Sequence, residues 1–192
     1  MNDDSGAREL AEPHHVRRFE ELALPHLDAA YNLARWLTRN DHDAHDVVQE
    51  AYMRAFRFFD GFHGDNARSW LLAIVRNTCY TWLRQNRGFR VNTSLDELRD
   101  SGAADAALAA IDPSEEDPEK RMLREDDKTM LNHALGRLPE EFREVLVLKE
   151  LEDLSYREIA AITGVPLGTV MSRLSRARKL LHKHLQTSAQ ES

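Results

Sequence analysis

Cysteine is almost absent from this sequence. With Cys79 alone, no internal disulfide can form and no cysteine cluster is available for zinc. Long hydrophobic runs are missing too. The longest apolar stretches, such as Trp70–Val75, extend only a few residues, so no segment is expected to span a bilayer. The first residues, M-N-D-D-S-G-A-R-E-L, carry acids where a secretory signal has a basic region and an apolar core, and a cytosolic location is expected. Catalytic signatures are also lacking: there is no Gly-rich phosphate loop, no G-x-S-x-G and no H-E-x-x-H. His42 and His45, beside Asp41, Asp43 and Asp46, could hold a metal only weakly, and a solvated helix cap is the better reading. Cys79, among aromatic neighbours, reads as a buried small apolar group rather than a nucleophile. No catalytic residue, metal, cofactor or small-molecule substrate is expected.

What is present is an ordinary globular composition. Hydrophobic residues make up 42% and charged residues 31%, which argues against wholesale disorder. A chain of 192 residues allows one ordinary domain or two small ones. Its net charge of −7 seems at first to speak against a nucleic-acid partner, because phosphate binding rests on positive charge. The distribution says otherwise. Residues 94–120 hold nine acids and two basic groups, a deficit equal to that of the whole chain. Residues 18–93 come to +1 and residues 121–185 to +2. Within them, residues 66–93 contain five arginines and no acid, and residues 166–185 contain five basic residues and no acid. One such run is ordinarily a solvated helix face; two in separate parts of the chain, both without acids, are harder to ascribe to chance and form the pattern to explain.

Periodicity is helical nearly throughout, and glycine and proline punctuate sparsely. Pro25 suits a first turn, and Leu27, Ala30, Tyr31, Leu33, Ala34 and Leu37 predict a helix reaching Asn40. Short polar side chains at Asn40–Asp43 predict the next start, with Val47, Val48, Ala51, Tyr52, Ala55 and Phe59 as its stripe and an end at Gly61–Gly64. A third helix is expected from about Asn66 to Arg87, stopped by Gly88. Residues 94–120, acidic and poor in large apolar groups, read as a flexible linker. Helices are then expected over about 121–136, from Pro139 to about Lys149, from Ser155 to Thr163, and from Pro166 to about Leu185. The fold class is thus all-α. Its divisions are a tail (1–17), a helical domain (18–93), the linker (94–120), a second helical domain (121–185) and a C-terminal tail (186–192).

Residues 155–181 are the most informative. Ser155-Tyr156-Arg157-Glu158 fits a capping box, Gly164 supplies a turn, and Pro166 opens a basic helix. This is the layout of a helix-turn-helix, whose second helix enters the major groove. Val170, Leu174, Ala177 and Leu181 form an inward stripe. Thr169, Ser172, Arg173 and Arg176 share another face, offering two hydroxyls and two guanidinium forks suited to phosphate or to guanine O6 and N7. The same helix, taken alone, could instead dock on a protein.

The run L-P-E-E-F-R-E-V-L-V-L-K-E-L-E-D-L-S-Y-R-E-I-A-A-I-T-G-V-P-L-G-T-V-M-S-R-L-S-R-A-R-K-L-L (Leu138–Leu181) resembles region four of bacterial sigma factors of the extracytoplasmic-function (ECF) group. D-A-H-D-V-V-Q-E-A-Y-M-R-A-F-R (Asp43–Arg57) and W-L-L-A-I-V-R-N (Trp70–Asn77) resemble region two of the same group. The resemblance implies an alternative sigma factor that binds core RNA polymerase, through its clamp helices and flap, and directs initiation at particular promoters. It implies polymerase docking by Asp46, Gln49, Glu50, Met53 and Arg54, with Val47 as an apolar contact. It places recognition of the melted minus-ten strand on the loop Phe62–Asn66 and the following helix. There Asp65, Asn66, Arg68, Arg76, Asn77, Tyr80, Arg84 and Arg87 combine positive charge with an aromatic face for an unstacked base. Trp70 is expected in the core; Trp82 is open between packing and DNA.

It assigns minus-thirty-five contacts to Thr169, Ser172, Arg173 and Arg176, with Arg157 and Arg178 on the backbone. Met171 stands where family members often have arginine, so base specificity is not carried over at that position. The linker resembles the segment that threads toward the polymerase active site and RNA exit path, and a plain solubilising tether is the other reading. An anti-sigma factor is implied as a partner, which could hold the protein at the membrane without insertion. Two other functions stand beside this one. A sigma-like decoy would titrate an anti-sigma factor without binding DNA, but it would not need basic recognition faces. A simple helix-turn-helix regulator would leave D-A-H-D-V-V-Q-E unexplained.

Overall fold

Asn40 shows how the local rules act. Its side chain accepts a hydrogen bond from the Asp43 N–H at 3.0 Å and so caps the helix that follows. Just before it, Arg39 takes a left-handed conformation (φ 63°) that closes the preceding helix. Asp41 fixes the corner, accepting from the Tyr31 hydroxyl at 3.0 Å and pairing with Arg35. The computed structural model describes residues 4–90 and 130–191. In the first half, α1 (Asp4–Ala23) passes through a 3-10 turn at Leu24–His26 into α2 (Leu27–Thr38), followed by α3 (Asp41–Arg57) and α4 (Ala67–Arg90). In the second half, α5 covers 130–136, and α6 (Glu140–Leu146) continues as a π-helical turn, Val147–Leu151. Then come α7 (Tyr156–Thr163) and α8 (Leu167–Glu191). No strand occurs among the described residues. The acidic stretch 94–120 and the expected helical residues before 130 lie outside them.

Several boundaries differ from expectation. α1 begins at Asp4, inside the stretch read as a tail, and Phe19 and Ala23 bury against Ala55, Phe59 and Leu71. Pro25 lies in the 3-10 turn rather than in α2. α4 continues through Gly88 to Arg90, because one glycine disfavours a helix by only about 1 kcal/mol. α8 runs on to Glu191.

The two halves share a core. Leu33, Leu37, Leu72, Val75 and Cys79 from the first half form one buried cluster with Val145, Leu148, Leu154 and Ile159 from the second. Each large side chain in it stabilises the fold by roughly 1.5–3 kcal/mol on burial. Arg143 crosses this seam inside the protein: its guanidinium donates to the Trp36 carbonyl at 2.7 Å and to the Leu138 carbonyl at 2.8 Å. The second half is therefore seated on α2 and α4, and this seating positions everything below.

Candidate nucleic-acid interface

In the second half the expected motif forms in detail. The Ser155 N–H donates to Glu158 Oε2 at 2.8 Å, and the Glu158 N–H donates to Ser155 Oγ at 3.2 Å, a complete capping box for α7. The backbone bond at Ser155 holds the Glu158 carboxyl below its ordinary range. Gly164 (φ 68°) ends α7 in a left-handed turn that strains any residue with a Cβ. Pro166 accepts the first N–H groups of α8, from Thr169 and Val170. Val170, Leu174 and Ala177 are buried and Leu181 is half-buried, so the inward stripe is as the spacing predicts. The opposite face is open: Ser172 and Arg176 are exposed, and Thr169 and Arg173 half-buried. Met171, on another side of α8, and Arg157 on α7 are exposed as well. Arg178 is exposed and pairs with Glu150 at 2.7 Å. α7 and α8 thus expose hydroxyls and guanidinium groups to solvent, where they can meet base edges or phosphates.

The basic face of α4 is disposed differently. Asn66 caps it, accepting from the Ser69 N–H at 2.8 Å. Arg68, Arg76 and Tyr80 all point into the seam. Arg68 Nη2 lies 2.6 Å from Glu152 Oε2, and Arg76 pairs with Glu144. The Arg76 guanidinium also lies over the Tyr80 ring, 4.6 Å from its centre, and Tyr80 donates to Glu144 Oε2 at 3.3 Å. Asn66 Nδ2 donates to Glu158 Oε1 at 3.0 Å, and Asn32 Nδ2 to Glu152 Oε1 at 3.1 Å. Glu144 is 0% exposed, and burial pushes its carboxyl above the ordinary value while Arg76 pulls it back. Burial and Glu144 raise the Tyr80 phenol. Asp65, Asn77 and Arg84 remain exposed, and Asn77 accepts from Arg76 Nη1 at 3.2 Å. The side chain of Arg87 lies outside the described residues. Trp70 is half-buried, its ring 4.6 Å from that of Phe62, and Trp82 packs against the main core.

On α3, Asp46, Gln49, Glu50 and Met53 form an exposed row, and Arg54 pairs with Glu50 at 2.6 Å. Met53 is 55% exposed, with Phe56 and Phe58 exposed nearby. Val47 does not belong to that row. At 2% exposure it packs in the core with Ala44, Val48 and Ala51, since it lies on the inward stripe of α3. Burial pushes the Cys79 thiol up to about 12, which leaves no thiolate for chemistry near neutrality. No group of three or more metal-ligating side chains occurs among the described residues. Sequence reasoning missed Glu144, Glu152 and Glu158 as partners of the basic residues. Only the acidic character of residues 121–165 hinted at them.

Known families, relatives and solved structures match this chain along most of its length. Residues 22–89 match the family model described as Sigma-70 region 2, and residues 128–181 match that described as Sigma-70, region 4. The chain is 36% identical over 178 residues to the RNA polymerase sigma-H factor of Pseudomonas aeruginosa, covering 91% of this chain and 90% of that protein. It is 37% identical over 146 residues to the ECF RNA polymerase sigma-E factor of Escherichia coli, covering 75% and 74%. To the ECF RNA polymerase sigma factor SigE of Mycolicibacterium smegmatis it is 35% identical, spanning 90% of this chain but 63% of the relative's length. Among solved structures it is similar to the sigma factor RpoE in complex with the anti-sigma factor NepR from Bartonella quintana. That match has a TM-score of 0.65 and 30% identity, and covers 88% of this chain and 98% of the other. It is also similar to CnrH in complex with the cytosolic domain of CnrY, with a TM-score of 0.60 and 25% identity over 89% of each chain.

Proposed function

The chain belongs to the ECF group of RNA polymerase sigma factors, and from that premise we propose how its surfaces divide the work of initiation. α7 and α8 read the minus-thirty-five element: α8 enters the major groove with Thr169, Ser172, Arg173 and Arg176, while Arg157 and Arg178 hold the backbone. α4 and the loop before it hold the melted minus-ten strand through Asp65, Asn66, Arg68, Arg76, Asn77, Tyr80, Arg84 and Arg87. Binding an extruded base there offsets the few kcal/mol of unstacking, so promoter opening needs no hydrolysis. The row Asp46, Gln49, Glu50, Met53 and Arg54 docks on the clamp helices of core RNA polymerase. Residues 94–120 reach toward the polymerase active-site channel, where their negative charge imitates the RNA that displaces them.

The protein works without catalysis of its own, in the cytoplasm, under an anti-sigma factor. The two similar structures, each a complex with such a regulator or with a cytosolic domain of its partner, support that partner class. No helix among the described residues is long and apolar enough to cross a membrane. The exposed, capped helix-turn-helix carries this reading. Its test is transcription with core polymerase and genomic DNA, followed by sequencing of the run-off transcripts. Arg176→Ala should lower promoter-specific initiation about tenfold or more, the loss of one good base or phosphate contact, while core binding is unchanged. Equal loss of both would refute the division of labour.

A further inference from the structure

Exposure along α8 shows which side of it looks outward. Val170, Leu174 and Ala177 are buried and set the inward direction. At about 100° per residue, the opposite direction passes close to Ser172 and Lys179, both exposed. Thr169 lies about a quarter turn to one side of that line, and Met171 about a quarter turn to the other. Thr169 is half-buried, whereas Met171 is 52% exposed. Leu167, one turn earlier on the Met171 side, is 43% exposed. We infer that Met171 reads the 5-methyl group of a thymine in the minus-thirty-five element, and so helps to set which promoters this chain selects. Met171 can do so only if α8 is the minus-thirty-five reader, so this rests on the role proposed for α8 above.

The major groove of DNA is about 12 Å wide, and a helix with its side chains is about as broad. A helix seated there meets a groove wall on both flanks, so Met171 comes within reach of DNA just as Thr169 does. Base-reading residues of such a helix lie near its N-terminus, and Met171 is one turn past Leu167, the first residue of α8. Arg178, assigned to the backbone, lies two turns further along the same side. Gly168, three residues before Met171 and its neighbour on the helix surface, leaves room for close approach. A Cβ at Gly168 would meet nothing within 4 Å, so the protein's own packing does not call for glycine there. Helical backbone does not favour it either.

The thioether selects by what it lacks. It has no N–H or O–H for guanine O6 and N7 or for adenine N7, and covering those acceptors would leave them unpaired and out of water. On the base edges of the major groove, the one apolar group is the thymine methyl. An unbranched, adaptable side chain can settle on it. The adjacent hydroxyl does not duplicate this role. Ser172 Oγ donates to the Thr169 carbonyl at 3.0 Å and is left only to accept.

The test removes the methyl and nothing else. Holoenzyme made with the full chain is titrated, at one fixed salt concentration, with a duplex carrying the strongest promoter recovered by run-off sequencing. Thymines of its minus-thirty-five segment, on either strand, are replaced one at a time by deoxyuridine, which keeps the pairing. One replacement should weaken binding about fourfold, the worth of one buried methyl-sized group. Met171→Ala should weaken binding to the unaltered duplex by about the same factor, and that deoxyuridine should then cause no further loss. A segment without thymine, or one in which no deoxyuridine weakens binding, would overturn the inference. So would a Met171→Ala chain that remains as sensitive to the methyl as the unaltered chain. Equal loss for Met171→Ala on duplexes with and without the methyl would place Met171 against a protein and overturn it too. Arg176→Ala keeps the two ideas apart. If it weakens binding while the methyl has no effect, Met171 alone loses its role; if neither change matters, α8 is not the minus-thirty-five reader and both readings fall.

Discussion

Glu144 is a carboxylate shielded from water, and its protonation follows from what surrounds it. Burial raises its proton affinity; Arg76, the Tyr80 hydroxyl and the nearby charge of Arg173 oppose that rise without cancelling it. A folded-state value above the ordinary 4.5 means that the folded chain binds a proton more tightly than the unfolded one. The stability this supplies is fully present below 4.5 and is lost as pH rises through the raised folded value. Glutamine does not titrate, so the stability of the wild type relative to Glu144→Gln should increase as pH falls from neutrality toward 4.5. Urea titrations at both ends of that window test it, and a constant difference would show Glu144 to be solvated in solution. Glu158 has the opposite sign. Its cap lowers the carboxyl, so its contribution is present above 4.5 and fades as pH falls through the lowered value. None of this was legible in the sequence, where the two glutamates are equivalent letters. Val47 was legible: its place on the buried stripe of α3 was readable from the spacing and outweighs the docking role the resemblance suggested.

At the scale of elements, local chemistry was readable wherever it is short-range. Asn40, Ser155, Gly164 and Pro166 each act within one helical turn, and each does in the structure what its residue type favours. Where boundaries depend on distant contacts, local signals were outweighed. Gly88 stops nothing, and α1 persists because Phe19 and His15 pack edge-on against Phe56 and Phe59, with centroids 5.1–5.3 Å apart. The π-helical turn after α6 has no sequence signature that periodicity could find. Short helices lean most on their caps. α7 has eight residues, so Ser155→Ala removes a large share of what fixes it and should destabilise the second half by about 1 kcal/mol. Ser155→Asp keeps an acceptor at the cap and should lose much less. Chemical denaturation of the two variants compares them directly; equal losses would show that side-chain bulk, not the cap, matters.

For the whole molecule, the charge total and the charge placement lead to different expectations about DNA. The seam between the halves could not be read from the sequence, since Arg68 and Glu152 lie 84 residues apart and no periodicity links them. The separation of charge could: the acids of 94–120 set the total, while α4 and α8 each carry an acid-free basic run. Counterion release depends on the phosphates a protein actually neutralises, not on its net charge. A protein of net charge −7 should therefore still bind promoter DNA, within holoenzyme, more weakly as salt is raised. Arg157, exposed on α7, is assigned to the backbone, where it selects no base. Arg157→Ala should weaken binding to all promoters alike and lower the slope of log affinity against log salt by about one. Arg176→Ala, if its fork reads guanine, should relax preference at one base pair and leave that slope nearly unchanged. A salt series on both variants with two promoter sequences tests the assignment. A shared loss of slope would place both arginines on phosphate. An unchanged slope for Arg157→Ala would remove it from the interface and shift backbone binding toward Arg178, which must then leave Glu150 to reach DNA.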